Sequence, residues 1–277
     1  MTAFTSAQHL SEVLTAYSRP NDERLGEILQ SAITHLHAFV EEVGLTRSEW
    51  EQGIEFLTAV GHMCTDKRQE FILLSDVLGV SMLVEMINQR GSARATEPTV
   101  FGPFHLDDAP ERATGESIVV DDDPGPRVVF SGTVRGIDGS PIGAAELDVW
   151  QAGTDGLYDI QDPAKSEMHL RGRFRTDTDG TYRFETVRPV AYPIPDDGPA
   201  GEMLRSAGRH NWRPAHTHFV VSAPGCRTLT THVFDASSDF LDSDAVFGVR
   251  DSLVVDMSGG EVAYDFVLDP DGSPPPD

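Results

Sequence analysis

Two cysteines, Cys64 and Cys226, are all that 277 residues carry, far apart and without metal-ligand spacing. That excludes a disulfide framework and a thiolate zinc site as organising devices. Basic residues are also scarce: 21 Lys and Arg against 45 Asp and Glu leave a formal net charge of −24. Phosphate backbones and anionic membrane surfaces need a clustered basic face, so the deficit argues against both and points to small-molecule partners. No apolar run could span a bilayer, and the start Met1-Thr2-Ala3-Phe4-Thr5-Ser6 lacks a basic region followed by an apolar one, so a cytoplasmic location is expected. No internal repeat stands out. The length suits one large domain or two modest ones, with enough chain for a core without staples, so a metal would serve chemistry more than folding.

What is present divides into two textures. The first ninety or so residues read as helical. After Pro20 and Asn21, the residues Leu25, Leu29, Ala32, Leu36, Phe39 and Val43 alternate in steps of four and three, widened by Ile28 and Val40, as in a coiled-coil-like seam. Thr46 and Glu49 spell a capping box with Leu45 and Trp50 at the staple positions, predicting a second helix to about Cys64. A third is predicted over Glu70 to Gln89, with Leu74, Leu78, Met82 and Met86 at helical spacing. From about Arg94, Pro and Gly become frequent. Short β-branched runs such as Ile118-Val119-Val120, Val128-Val129-Phe130 and Leu253-Val254-Val255 alternate with turn signals including Asp138-Gly139 and Asp179-Gly180. The expected fold is α+β by content, with a helical domain over 1–95, a mainly antiparallel β-sandwich over 96–270 and a disordered tail over 271–277.

The sandwich half holds Tyr158, Tyr192, His216 and His218, a set with the composition of a ferric-iron site. Fe(III) is hard and highly charged; two phenolates neutralise most of its charge and two imidazoles add neutral nitrogen, whereas zinc rarely recruits tyrosine. His216 and His218 lie two apart in a run of β-formers, so both rings point to one face of a strand. His35 and His37 show the same spacing in a helical segment, where such neighbours diverge, and read as solvated or partly packed.

Three stretches carry a resemblance. They are Leu147-Asp148-Val149-Trp150-Gln151-Ala152 leading to Gly156-Leu157-Tyr158, then Arg188-Pro189-Val190-Ala191-Tyr192-Pro193-Ile194-Pro195, then Arg213-Pro214-Ala215-His216-Thr217-His218-Phe219. In this order the chain resembles the intradiol ring-cleaving dioxygenases, the catechol and hydroxyquinol 1,2-dioxygenases, over nearly its whole length. The resemblance implies one Fe(III) per subunit, with Tyr158 and His218 as in-plane ligands and Tyr192 and His216 as the axial pair. It assigns Tyr192 as the base that accepts a substrate proton, so Tyr192→Phe should cripple substrate deprotonation. Arg213 becomes the cation beside the ring carbon that gains negative character. It also implies a homodimer packed through the amino-terminal helices, at an interface that holds a lipid in some relatives.

Two departures bear on the substrate. Catechol-cleaving relatives carry glutamine fourteen residues beyond the second histidine, where this chain has His232, which is counted among the catalytic candidates. Pocket positions of relatives map onto Leu73, Asp76, Val100, Phe101, Gly102, Pro103 and Val246, and catechol dioxygenases resemble Ser-Pro-x-Leu-Gly around the position of Asp76. A carboxylate is costly beside an unsubstituted ring but can accept a hydrogen bond from a third hydroxyl. The expected reaction is cleavage of hydroxyquinol (benzene-1,2,4-triol) by O2 to 3-hydroxy-cis,cis-muconate, the enol form of maleylacetate. The alternatives are a catechol or chlorocatechol 1,2-dioxygenase, a metal-free β-sandwich binding module, and a zinc hydrolase.

Overall fold

The computed structural model describes residues 5–65, 68–89 and 91–272. Two compact units divide between Ala59 and Val60. In the first, Thr5 and Gln8 form a capping box for helix α1 (Ser6–Ala16), and Asp22 caps α2 (Glu23–Val43) by accepting from the Leu25 amide at 3.0 Å. Gly44, at φ +60, ends α2 in the left-handed conformation that glycine adopts without penalty. The predicted capping box opens α3 (Arg47–Met63): the Thr46 amide donates to Glu49 Oε2 at 2.8 Å and the Glu49 amide to Thr46 Oγ1 at 3.3 Å. The seam of α2 lies largely in solvent, with Leu25, Leu36, Phe39 and Val43 all exposed and Leu36 at 62 %.

The second unit, which takes in the end of α3 from Val60, contains a departure from expectation. The single helix predicted over 70–89 is two, α4 (Glu70–Val77) and α5 (Val80–Asn88), broken at Gly79 with φ +73. The break redirects the chain, so the residues predicted to share one stripe part company: Leu74 and Met82 are buried, whereas Leu78 and Met86 are exposed. Both helices belong to the larger unit. Helix gives way to irregular chain after Asn88, and the compact units divide earlier, between Ala59 and Val60.

The strands build a sandwich. In one sheet β1 (Arg127–Gly136) pairs antiparallel with β4 (Thr181–Val187) and parallel with the short β10 (Glu261–Ala263) and β11 (Phe266–Leu268). The other has the order β3-β2-β7-β8-β9, formed by β2 (Glu146–Trp150), β3 (Arg171–Arg175), β7 (His216–Ser222), β8 (Leu229–Asp235) and β9 (Val254–Val255). Only β9 is parallel to its neighbour there. A third pair joins β5 (Tyr192–Pro193) to β6 (Trp212–Arg213), and α6 (Pro199–Ser206) lies between them in sequence. Ile118-Val119-Val120 forms no strand. Ile118 is instead buried in the core, its amide donating to Glu185 O and its carbonyl accepting from Leu170. Of the expected tail, Asp271 and Gly272 form a turn, and 273–277 lie outside the described residues.

Side-chain alternation explains how one sheet serves both core and site. On β7, Phe219 and Val221 face the core shared by the two sheets, where Phe219 meets Phe130 of β1 at 5.7 Å between ring centroids. Alternate residues point oppositely on a strand, so His216 and His218 emerge on the outer face. The same parity sends Val149 of β2 and Val233 of β8 into the core and leaves Trp150 and His232 outside. Among the described residues no helix is long and apolar enough to cross a membrane.

Candidate metal centre

Register places three rings in one row across the outer face: Trp150 pairs with His218 between β2 and β7, and His218 pairs with His232 between β7 and β8. The indole stacks on the His218 ring, centroids 4.7 Å apart at 15°. His216 Nδ1 lies 2.7 Å from the carbonyl of Pro214 and must carry the proton, because a carbonyl only accepts. Its Nε2 is therefore a bare lone pair.

Two tyrosines come to meet these nitrogens. Tyr158 follows a turn at Gly156, φ +80, where a β-carbon would lie 3.1 Å from the Cβ of Tyr192. Its amide donates to Gln161 Oε1, and the next residue, Asp159, is clamped by buried Arg171 at 2.6 Å. Tyr192 stands opposite Arg213 in the β5–β6 pair. The four donor atoms converge: Tyr158 Oη to His218 Nε2 is 2.8 Å, Tyr158 Oη to Tyr192 Oη 3.0 Å, Tyr192 Oη to His216 Nε2 3.3 Å, and His216 Nε2 to His218 Nε2 3.2 Å. Donors held about 2.1 Å from one ion at about 90–100° would stand about 3.0–3.2 Å apart.

Electrostatics favours a cation at this point. Burial raises both phenols above their ordinary value, partly offset at Tyr192 by Arg213, and lowers His216 and His218 well below theirs. Without a cation all four groups are thus held neutral. A multivalent cation would reverse that preference for the phenols, turning them into anionic ligands, while neutral imidazoles are already the form a metal needs. His216, His218 and His232 also place one nitrogen each within 4.8 Å of one another. A three-histidine site is not what they make, because His232 Nε2 is engaged with His218 Nδ1 at 2.7 Å, on the side of that ring away from the phenols. The donor set of two phenols and two imidazoles fits hard ferric iron and does not fit a hydrolytic zinc site.

Arg213, 3 % exposed, donates from Nη1 to His216 Nε2 at 3.1 Å and is held by Asp244 at 3.2 Å. Asp244 also accepts from the amides of Gly248 and Val246. Leu73, Val100 and Val246 pack in one apolar cluster with Tyr158 and Tyr192. Gly102, φ +79, passes so close to His218 that a β-carbon there would stand 3.1 Å from Cε1. Asp76 is buried on α4; burial pushes its carboxyl above the ordinary range, with a hydrogen bond from Ser81 and the charge of Arg213 pulling it down and the charge of Asp244 pushing it up. Phe101 packs on His105 and Trp150, one ring removed from His218, and Pro103 is exposed. His35 is exposed on α2, and His37 contacts His9, apart from any such cluster.

Four neighbours carried no sequence assignment. Asp244 is one acid among many. Trp150 lies inside a quoted motif with nothing to mark its stacking. Phe104 stacks on Tyr158 at 4.5 Å, and Thr99 bonds His232 at 2.7 Å; their roles depend on loop paths that periodicity does not reveal.

Comparison with known proteins bears on this arrangement. The family described as Dioxygenase matches residues 100–270, and that described as Catechol dioxygenase N terminus matches 22–96. A 6-chlorohydroxyquinol 1,2-dioxygenase of Cupriavidus pinatubonensis is 51 % identical over 89 % of this chain and 91 % of its own. A hydroxyquinol 1,2-dioxygenase of a Rhizobium species is 46 % identical over 94 % of this chain and 88 % of its own. The solved structure of hydroxyquinol 1,2-dioxygenase from Pseudomonas putida DLL-E4 superposes with a TM-score of 0.90 at 46 % identity, covering 96 % of this chain and 99 % of that one.

Proposed function

We propose that this chain, which belongs to the intradiol dioxygenase family, cleaves hydroxyquinol with O2 to 3-hydroxy-cis,cis-muconate at a ferric site held by Tyr158, Tyr192, His216 and His218. The single observation that carries it is the meeting of two phenol oxygens and two imidazole nitrogens at 2.8–3.3 Å. When bound there, ferric iron supplies a Lewis acid that favours the ionised form of a chelating diol.

The remaining chemistry belongs to the side chains. Tyr192, ionised as a ligand, is the base that would take a proton from a substrate hydroxyl, and the Arg213 guanidinium opposite it in the β5–β6 pair stabilises its phenolate form beforehand. Arg213 is preorganised by Asp244 and donates toward the site, where a fixed guanidinium stabilises negative charge developing on the ring. Leu73, Val100 and Val246 supply an apolar wall, and Asp76 supplies the polar group in it. Ser81 already donates to this buried carboxyl, and a third ring hydroxyl would give it a further donor that plain catechol cannot supply, which is the basis of selection.

Oxygen uptake with hydroxyquinol, 6-chlorohydroxyquinol, catechol and chlorocatechols, with product identification, tests this reading. Preference for the triols is expected, and Asp76→Pro should move it toward catechol. Faster turnover of catechol by the unaltered protein would overturn the substrate assignment. A colourless protein without iron would overturn the metal assignment, since ferric tyrosinate absorbs strongly in the visible. The exposed seam on α2 supports a homodimer through the amino-terminal helices, which sedimentation would show as a dimer lost on Leu36→Glu.

A further inference from the structure

The geometry points to Thr99 and His232 as positioning residues that set the proton on the His218 ring, in a hydrogen-bonded chain Thr99–His232–His218 leading to the candidate metal centre. This rests on the ligand reading above. His232 Nε2 lies 2.7 Å from His218 Nδ1, and His232 Nδ1 lies 2.7 Å from Thr99 Oγ1. Both partners are fully buried. Both ring nitrogens of His232 are thus engaged, one by Thr99 and one by His218, so His232 acts through His218.

The backbone explains why the chain forms. His218 and His232 stand directly opposite in the β7–β8 pair, where facing Cβ atoms are about 4.5–5.5 Å apart, a span that two imidazoles close with one hydrogen bond. Segment 97–99 runs along the edge of β8: the Thr99 amide donates to Thr230 O at 2.9 Å, and Thr231 Oγ1 donates to Glu97 O at 2.7 Å. Thr99 is thereby brought beside His232. Three residues later the same segment presses Gly102 against His218 Cε1, while Trp150 covers a face of the ring. His218 is thus held at Nδ1, at Cε1 and across one face, which leaves Nε2 directed at Tyr158.

Proton placement follows. Coordination through Nε2 obliges His218 to carry its proton on Nδ1 and donate it to His232 Nε2. His232 must then be the neutral form with its proton on Nδ1, donated to the oxygen of Thr99. In the chain without a cation the opposite direction is also open: the Thr99 hydroxyl donates to His232, His232 to His218, and His218 to the phenol oxygen of Tyr158. Cation binding selects one of two directions for a row of hydrogen bonds. The groups that accept the selected direction and hold the ring in it lie two residues deep behind the ligand, and Thr99 ties them to the loop that carries Val100 and Gly102.

Two measurements test this. The first is imidazole ¹⁵N NMR of the full-length protein loaded with gallium(III), a diamagnetic stand-in for ferric iron. Protonated Nδ1 and bare Nε2 on His232 are expected, and a proton on His232 Nε2 overturns the proposal. The second compares iron-loaded wild type with Thr99→Val and Thr99→Ser for iron loss to a chelator and for the visible ferric-tyrosinate band. Thr99→Val, isosteric but without an acceptor, should lose iron about 10-fold faster and shift the band, while Thr99→Ser keeps both near wild type. Equal iron loss and an unshifted band in Thr99→Val overturn the relay. A wild-type protein that binds neither ion overturns the ligand reading instead, so the two failures are distinct.

Discussion

Replacing Asp244 with asparagine removes one charge and almost no volume, at a site where that charge has a defined partner. Arg213 and Asp244 are 3 % and 4 % exposed and meet at 3.2 Å. Breaking a buried pair from one side leaves the other charge without compensation, a loss of about 3–5 kcal/mol. Asparagine keeps one acceptor, but its amide nitrogen must face the guanidinium and one of two backbone amides, that of Val246 on Oδ1 or that of Gly248 on Oδ2. The lower end, about 3 kcal/mol, is therefore expected, equivalent to about 6–12 °C in the thermal midpoint of a unit of this size. Activity should fall further than stability. Arg213 would drift from the place where ring charge develops, and such a displacement costs about 10²-fold in kcat. Circular dichroism melts and oxygen uptake at saturating hydroxyquinol read the two effects separately. An unchanged midpoint with unchanged kcat would refute the claim that Asp244 holds Arg213.

Stability of the metal-free protein should depend on pH through His216, His218 and His232, whose folded values burial holds well below the ordinary 6.5. The unfolded chain then binds more protons than the folded one below 6.5, so stability is intact above that pH and is lost as pH falls beneath it, at up to about 1.4 kcal/mol per pH unit for each imidazole. Urea midpoints at stepped pH would show this, and His232→Gln should remove one share of the slope. Gly102→Ala forces a β-carbon into a left-handed residue and against His218, so a stability loss of about 1–2 kcal/mol is expected together with a lower iron content by elemental analysis. Full iron occupancy in that variant would show that the loop yields without disturbing the ligand.

Parts of this molecule are legible in its sequence. The His216–His218 pair follows from a period of two, and the Thr46–Glu49 box predicts a helix start because both reciprocal bonds are local. Residues 70–89 misled for a physical reason: helical spacing continues through Leu78, and only the left-handed Gly79 reveals the break. Ile118-Val119-Val120 has β-branched composition but finds its partners through single bonds to Glu185 and Leu170, with no ladder. His232 could be numbered relative to His218 but not given a task, because its partner is fixed by strand register. Asp244 carried no local mark at all; its importance lies wholly in which cation it meets.

Register also ties the site to the core. On β7 the ligands and the core residues alternate, so Phe219 and Val221, locked among the rings of both sheets, fix the direction in which His216 and His218 emerge. A slip of one residue against β8 would turn both imidazoles into the sandwich and separate His218 from His232 and, across β2, from Trp150. Burial of Phe219 beside Phe130 and Phe266 makes that slip costly, since every core side chain of the strand would leave its place at once. The precision needed at the ligands is thus supplied by packing on the opposite face of the same strand. A core truncation such as Phe219→Ala should accordingly loosen iron retention as well as stability, although it touches no ligand.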